Sequence, residues 1–265
     1  MTTDAFVENV HFKREDSLEN AGRRAMAASL SDIAAMGARP VLATISLSLP
    51  AENAREEALA LYRGVAECAH ANACVIAGGD LTRAPLITLA VTVVGEVRAS
   101  SVKLRSGARP GDIIAVTGPL GAARAAGYRT IPEPRIAEGR WLGSSASVRA
   151  MMDVSDGLST DLLRVCVQSK CGALIERVPV AAAAAIVAHA AGEEPEMYAL
   201  AAGEDYELLV ALKARAFRYV AARFRKRFGR ELERVGVLRE GAGVFRKTGS
   251  GEQEEVAASG WDHFS

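Results

Sequence analysis

Five short stretches of this chain place an acid beside small residues that leave room around it. They are Thr2-Thr3-Asp4, "SDIAAMGA" around Asp32, "GGD" ending at Asp80, "DVSDG" with Asp153 and Asp156, and "GEDYE" from Gly203 to Glu207. Asp153 and Asp156 are the most informative pair. Met151-Met152 end a short strand, Asp153 points from its tip, and Asp156 occupies the N-cap position of a helix beginning near Leu158. A cap accounts for one acid; two acids three residues apart repel unless a cation lies between them. Hard divalent cations take oxygen ligands, and magnesium combines a few carboxylates with phosphates and water, so this junction is a candidate magnesium site.

The other acids are more ambiguous by themselves. Asp32 sits about a turn from the end of its helix, where the macrodipole disfavours a negative charge. It is either an exposed residue on the polar edge or a buried carboxylate that needs a cation. Asp80 follows Val75-Ile76-Ala77 and two glycines, which reads as a strand end in a tight turn. "GPLG" at Gly118 to Gly121 opens a helix and could offer amides to a phosphate, although a structural turn is the better reading. Arg83 and Arg105 lie in Gly- or Pro-punctuated loops and could fork onto phosphate.

No Walker loop, kinase His-Arg-Asp signature, His-Glu-x-x-His or Gly-x-Ser-x-Gly elbow is present. Several carboxylates, four histidines and scattered arginines suit phosphoryl transfer better than acyl transfer or redox chemistry.

The elements that must position these groups are legible from periodicity. Thr3 to Phe12 reads as a strand, and Ser17 caps a helix that runs to Met36 and stops at Gly37. Val41 to Leu49 reads as a strand, Glu52 to Ala73 as an amphipathic helix, and "CVIAGGD" and "LITLAVTVVGEV" as two more strands. Strand, helix, strand, helix, strand, strand predicts an α+β layer over residues 1–104. The polar segment "RASSVKLRSGARPGD" is the expected boundary to a second, α/β half over 105–265. There, "DIIAVTG", "ALIERVPV" and "YELLVAL" read as strands, and "STDLLRVCVQS", "VAAAAAIVAHAA" and "RAFRYVAARFRKRF" as helices.

In these 265 residues, 32 Lys and Arg balance 32 Asp and Glu, so no overall field draws the chain onto nucleic acid or an anionic membrane. The four cysteines lack zinc spacing and are few for a disulfide scaffold, which favours a reducing cytoplasm. Neither a membrane span nor a signal peptide is expected.

Read in order, "TTDAFVENVHF", "SDIAAMGARP", "GGDLTRAP", "LRSGARPGD", "TGPLGAARAAG", "MMDVSDGLSTDLL", "GEDYELL" and "GWDHF" resemble the thiamine-monophosphate kinase family. That family lies in the superfamily of aminoimidazole ribonucleotide synthetase, selenophosphate synthetase and a hydrogenase maturation factor. The resemblance implies ATP-dependent phosphorylation of thiamine monophosphate, assisted by magnesium ions. It implies a two-domain fold whose N-terminal sheet pairs across a homodimer into a β-barrel. By resemblance, Thr2, Thr3, Asp4, Asp32, Asp80, Asp153 and Asp156 form the metal set. Gly79, Asp80, Arg105 and Ser155 are implied nucleotide contacts, and His11, Glu204 and Trp261 substrate contacts. The chain departs from the family at Asn9 and Ala202, where glycine is usual. The family's upstream Gly-Asp-Asp-Ala segment has no counterpart before Met1, so the alternatives are a non-catalytic homologue that still binds nucleotide, or a related cyclo-ligase. Asp4 and His11, seven residues apart, fall on opposite faces of an ideal strand, so a twist or bulge must lie between them.

Overall fold

The computed structural model describes residues 1–249 and 251–260. Its first half is built from β1 (Thr2–Val7), α1 (Leu18–Ala35), β2 (Arg39–Leu49), α2 (Ala54–Ala71), β3 (Val75–Arg83) and β4 (Thr88–Glu96), in the order the sequence predicts. The Ser17 hydroxyl accepts the Asn20 N–H at 3.3 Å and fixes the start of α1. Gly37, at φ 71°, stops it with a left-handed turn that side chains resist.

The four strands form one sheet in the order β1-β4-β2-β3, antiparallel except for the parallel pair β2 and β3. One face is apolar: Ile45 and Leu47 of β2 and Leu89, Val91 and Val93 of β4 are buried against Met26 and Leu30 of α1 and Leu61 and Val65 of α2. The two helices touch backbone to backbone. A Cβ on Gly22 would lie 2.1 Å from the Leu61 carbonyl oxygen, and one on Gly64 would lie 1.8 Å from that of Glu19. Only glycine permits this approach.

The second half contains β5 (Asp112–Val116), α3 (Ala122–Ala125), α4 (Ile136–Gly143), β6 (Val148–Asp153), α5 (Leu158–Ser169), β7 (Gly172–Ile175), α6 (Ala182–Ala191) and α7 (Pro195–Leu200). It continues with β8 (Leu208–Lys213), α8 (Phe217–Phe228), β9 (Glu233–Arg239), β10 (Val244–Lys247) and β11 (Gln253–Glu255). Its seven strands pair in the order β11-β10-β7-β9-β5-β8-β6. Helix α1 belongs to both halves. Its last turn buries Ala34 and Ala35 in the core of Leu142, Met151 and Val210, and a Cβ on Gly139 of α4 would lie 2.1 Å from the Ala34 carbonyl oxygen.

Three local expectations are corrected. The first strand does not reach Phe12: it ends at Val7, and Asn9 at φ 66° turns the chain so that Asn9 N–H bonds Phe12 O at 2.8 Å. Gly78-Gly79-Asp80 is not a tight turn, because β3 runs through it to Arg83. Gly79 is required by its neighbour strand instead, since a Cβ there would lie 2.0 Å from Ile45 O. Helix α5 is not capped by Asp156; its N-cap is Gly157 and makes no side-chain cap bond. Among the described residues no helix is long and apolar enough to cross a membrane.

Candidate functional site

A cavity of about 1010 Å³ opens between the two sheets. Strand β1 contributes Thr3 and Asp4 to it, α1 contributes Ala28 and Asp32, and the turn between β6 and α5 contributes Asp153, Ser155 and Asp156. Gly203, Glu204 and Tyr206 also line it.

Three carboxylates from three elements converge here, and each has one oxygen engaged by a hydroxyl. Ser29 Oγ donates to Asp4 at 2.7 Å, Ser31 Oγ donates to Asp153 at 2.6 Å, and Thr2 Oγ1 donates to Asp32. Burial pushes the Asp4 carboxyl above its ordinary range, and the Asp32 charge adds to the rise. Asp153 is raised for the same two reasons, burial first and Asp32 second. Carboxylates placed so close hold a proton unless a cation lies between them. No three described His, Cys, Asp or Glu residues are close enough to cage an ion by themselves. An open set of this kind suits magnesium, which fills its remaining positions with phosphate oxygens and water.

The repulsion anticipated between Asp153 and Asp156 is distributed differently. Asp153 faces Asp32, whereas Asp156 is paired with Arg164. The buried carboxylate that organises the turn is Asp161, which accepts the Ser155 and Asp156 N–H groups at 3.0 Å each and also pairs with Arg164. Burial, with the Asp156 charge second, pushes Asp161 up to about 6.

A second cluster lies beside the acids. Arg24 Nη2 donates to Glu204 Oε2 at 2.6 Å, and its guanidinium sits 5.0 Å from the centre of the Phe6 ring. Phe6 in turn stacks on His11 with centroids 4.8 Å apart. His11 reaches this position through the turn after β1, where its Nδ1 accepts the Val7 N–H at 3.1 Å. In the neutral ring that leaves the proton on Nε2. His11 and Glu204 both line the cavity with Asp4, which resolves the facing problem posed by their spacing.

Arg105 and Ser155 also line the cavity. Gly79, Asp80 and Arg83 do not: they lie on β3, the exposed edge strand of the first sheet. Trp261 falls outside the described residues. In the "GPLG" turn the Leu120 N–H donates to Pro179 O at 2.7 Å and the Gly121 N–H to Asp205 at 2.6 Å, and Asp205 also accepts the Ala123 N–H at 3.1 Å, so that turn is structural.

Sequence reasoning missed Arg24, Ser29, Ser31, Asp161 and Tyr206. One signal was available: Arg24, Ala28 and Asp32 recur every four residues and therefore share a face of α1, with a small residue between two charges.

Residues 1–97 match the family model described as AIR synthase related protein, N-terminal domain. The chain is 37% identical over 266 residues to the thiamine-monophosphate kinase of Rhodopirellula baltica, covering 98% of this chain and 82% of that protein. It is 31% identical over 283 residues to the Aquifex aeolicus enzyme of the same name, covering 100% of this chain and 87% of the relative. Among solved structures, AaThiL complexed with AMPPCP and TMP superposes with a TM-score of 0.86 at 29% identity, covering 99% of this chain and 86% of that one. The hydrogenase maturation protein HypE in complex with ATP shares the fold alone, with a TM-score of 0.79 at 18% identity over 97% of this chain and 83% of that one.

Proposed function

The chain belongs to the thiamine-monophosphate kinase family, and from that premise we propose that it transfers the γ-phosphoryl group of ATP to thiamine monophosphate, giving thiamine diphosphate and ADP. The observation that carries the reading is the convergence of Asp4, Asp32 and Asp153 in a cavity that is also lined by His11 and by Glu204, the partner of Arg24. The acids suit a polyphosphate with its cations, and the neighbouring polar and aromatic groups suit the rings of an organic acceptor.

An acceptor phosphate oxygen, already ionised at neutral pH, attacks the γ-phosphorus. A new P–O bond forms as the bond to the bridging β–γ oxygen breaks, and ADP departs with the electron pair. No side chain has to remove a proton, so the absence of an obvious general base fits. Asp4, Asp32 and Asp153, with the hydroxyls of Thr2 and Thr3, are the groups that would hold magnesium; Asp156 belongs to the same proposed set, and Asp80, on the β3 edge outside this cavity, would join it only across the dimer proposed below. Magnesium, when bound, supplies charge neutralisation and alignment of the two anions. Ser29 and Ser31 orient two of these carboxylates, and Arg105, Ser155 and Gly79 are proposed nucleotide contacts. Glu204, steadied by Arg24, and the imidazole of His11, stacked on Phe6, are proposed contacts for the organic end of the substrate. Trp261 is the third proposed contact there.

The proposal extends to a homodimer. Strand β3 leaves one edge unpaired among the described strands, and Val75 and Leu81 on it are 65% and 59% exposed. Such an edge is a template for pairing with a second copy, which supports barrel closure by the first sheet. That closure would make residues 1–104 the dimerising half and 105–265 the covering half. A cytoplasmic location belongs to the same proposal, since all four cysteines are free thiols.

The direct test incubates purified protein with ATP, magnesium and thiamine monophosphate and separates the products chromatographically. Thiamine diphosphate formed in step with ADP supports the reading. Tight ATP binding with no diphosphate formed overturns it in favour of a non-catalytic homologue.

A further inference from the structure

Tyr206 lines the cavity together with Asp4, Asp153 and Glu204, and its backbone is held there in an unfavourable conformation. Glu204 and Tyr206 both adopt left-handed backbone, at φ 58° and 50°. For residues with a Cβ each such position costs about 1–3 kcal/mol and persists only where surrounding bonds impose it. Those bonds are present: Glu204 N–H donates to Ser155 O at 2.7 Å, Tyr206 N–H donates to Val154 O at 2.9 Å, and Val154 N–H donates to Glu207 O at 2.8 Å. The segment is thereby laced to the turn that carries Asp153.

The Tyr206 side chain lines the cavity, and among the described residues nothing hydrogen-bonds its hydroxyl. Burial above all keeps its phenol protonated, and the charges of Glu204, Asp153 and Asp4 add to that effect while Arg24 opposes it. The hydroxyl therefore carries a proton that it can donate to an anion. A donor at the junction of an acidic cation site and an organic subsite faces the group that spans both.

Building on the proposed kinase reading, we propose that the Tyr206 hydroxyl donates a hydrogen bond to a phosphate oxygen of the acceptor, fixing that phosphate for in-line attack. The contact is specific to a phosphorylated acceptor. It makes Tyr206 a substrate-binding residue of the transfer step, distinct from the nucleotide contacts.

Tyr206→Phe deletes only the hydroxyl and keeps the ring and backbone. The expected result is a rise of about tenfold in KM for thiamine monophosphate, the size of one lost hydrogen bond to a charged group, with KM for ATP and the thermal midpoint unchanged. Unchanged kinetics toward the acceptor overturn the proposal. So does a parallel rise in both KM values with a lowered thermal midpoint, which marks a structural role. If the wild-type chain forms no thiamine diphosphate, the kinase reading itself fails; calorimetric titration of thiamine monophosphate into both proteins then decides the contact separately, and equal affinities overturn it.

Discussion

Arg24 of α1 and Glu204, 180 residues later, form an ion pair with 2.6 Å between Nη2 and Oε2. The guanidinium is almost wholly buried, and its Nε has no hydrogen-bond partner. The pair therefore ties the first half of the molecule to the wall of the cavity at a point where neither charge can recover full hydration. Arg24→Met is expected to leave the partly buried Glu204 unpaired and to destabilise the protein by about 1–2 kcal/mol, less than a fully buried orphan charge would cost. Urea unfolding checks the stability, and steady-state kinetics should show a weakened KM for the acceptor with KM for ATP little changed.

The facing carboxylates predict opposite effects on stability and activity. Asp153→Asn keeps a group that can accept from Ser31 but removes one of two opposed charges. Without metal the variant should be more stable than wild type by about 1–2 kcal/mol. Its activity should fall by about a hundredfold or more, because a metal-holding charge is gone. Thermal unfolding in chelator and product formation in magnesium give the two readouts.

The same acids set a pH dependence. Asp4 and Asp153 have folded-state pKa values above their ordinary values, burial being the larger cause in each. The native state therefore binds protons more tightly than the unfolded chain through that window, and stability falls as pH rises past the ordinary carboxylate range. Added magnesium should restore the loss, so the increase in thermal midpoint it produces should be larger at pH 8 than at pH 5. An increase independent of pH would place the metal elsewhere.

At Gly64 two effects oppose each other. Alanine there improves helix propensity by about 1 kcal/mol. Its Cβ would also lie 1.8 Å from Glu19 O, a backbone atom that cannot swing aside. The clash wins: Gly64→Ala is expected to destabilise by about 2 kcal/mol or more net. Chemical denaturation measures it, and a stabilised variant would show that α1 and α2 can separate freely.

The order of the first six elements and the extent of α1, from its Ser17 cap to the Gly37 stop, are local properties and were legible in the sequence. Asp4, His11, Asp32, Arg105, Asp153, Ser155, Asp156 and Glu204 line one cavity; the residues themselves suggested only acid-bearing loops, and it was the family resemblance that grouped them. The partner of Asp153 was not legible. Spacing pointed to Asp156, three residues away, whereas burial brings in Asp32 and Ser31, more than a hundred residues distant. The end of β1 depended on Asn9 accepting a left-handed turn, which alternation alone does not reveal. Helices α4 and α7 and strands β9, β10 and β11 are three to eight residues long, too short to establish a period before tertiary burial selects them.

Helix α1 is held at Gly22 by the backbone of α2 and at Ala34 by the glycine of α4, both at separations that exclude a methyl group. Arg24, Ser29, Ser31 and Asp32 all ride on the span between these two clamps. The helix thus behaves as a strut fixed at both ends: it cannot slide or tilt to admit a ligand without breaking one of them. Ligand entry and release must instead depend on lining residues outside the helix, among them Arg124, Tyr128 and the chain at Ser259–Gly260. Turnover would then be throttled by the margins of the cavity, while the spacing between the acidic and organic subsites stays constant from one catalytic cycle to the next.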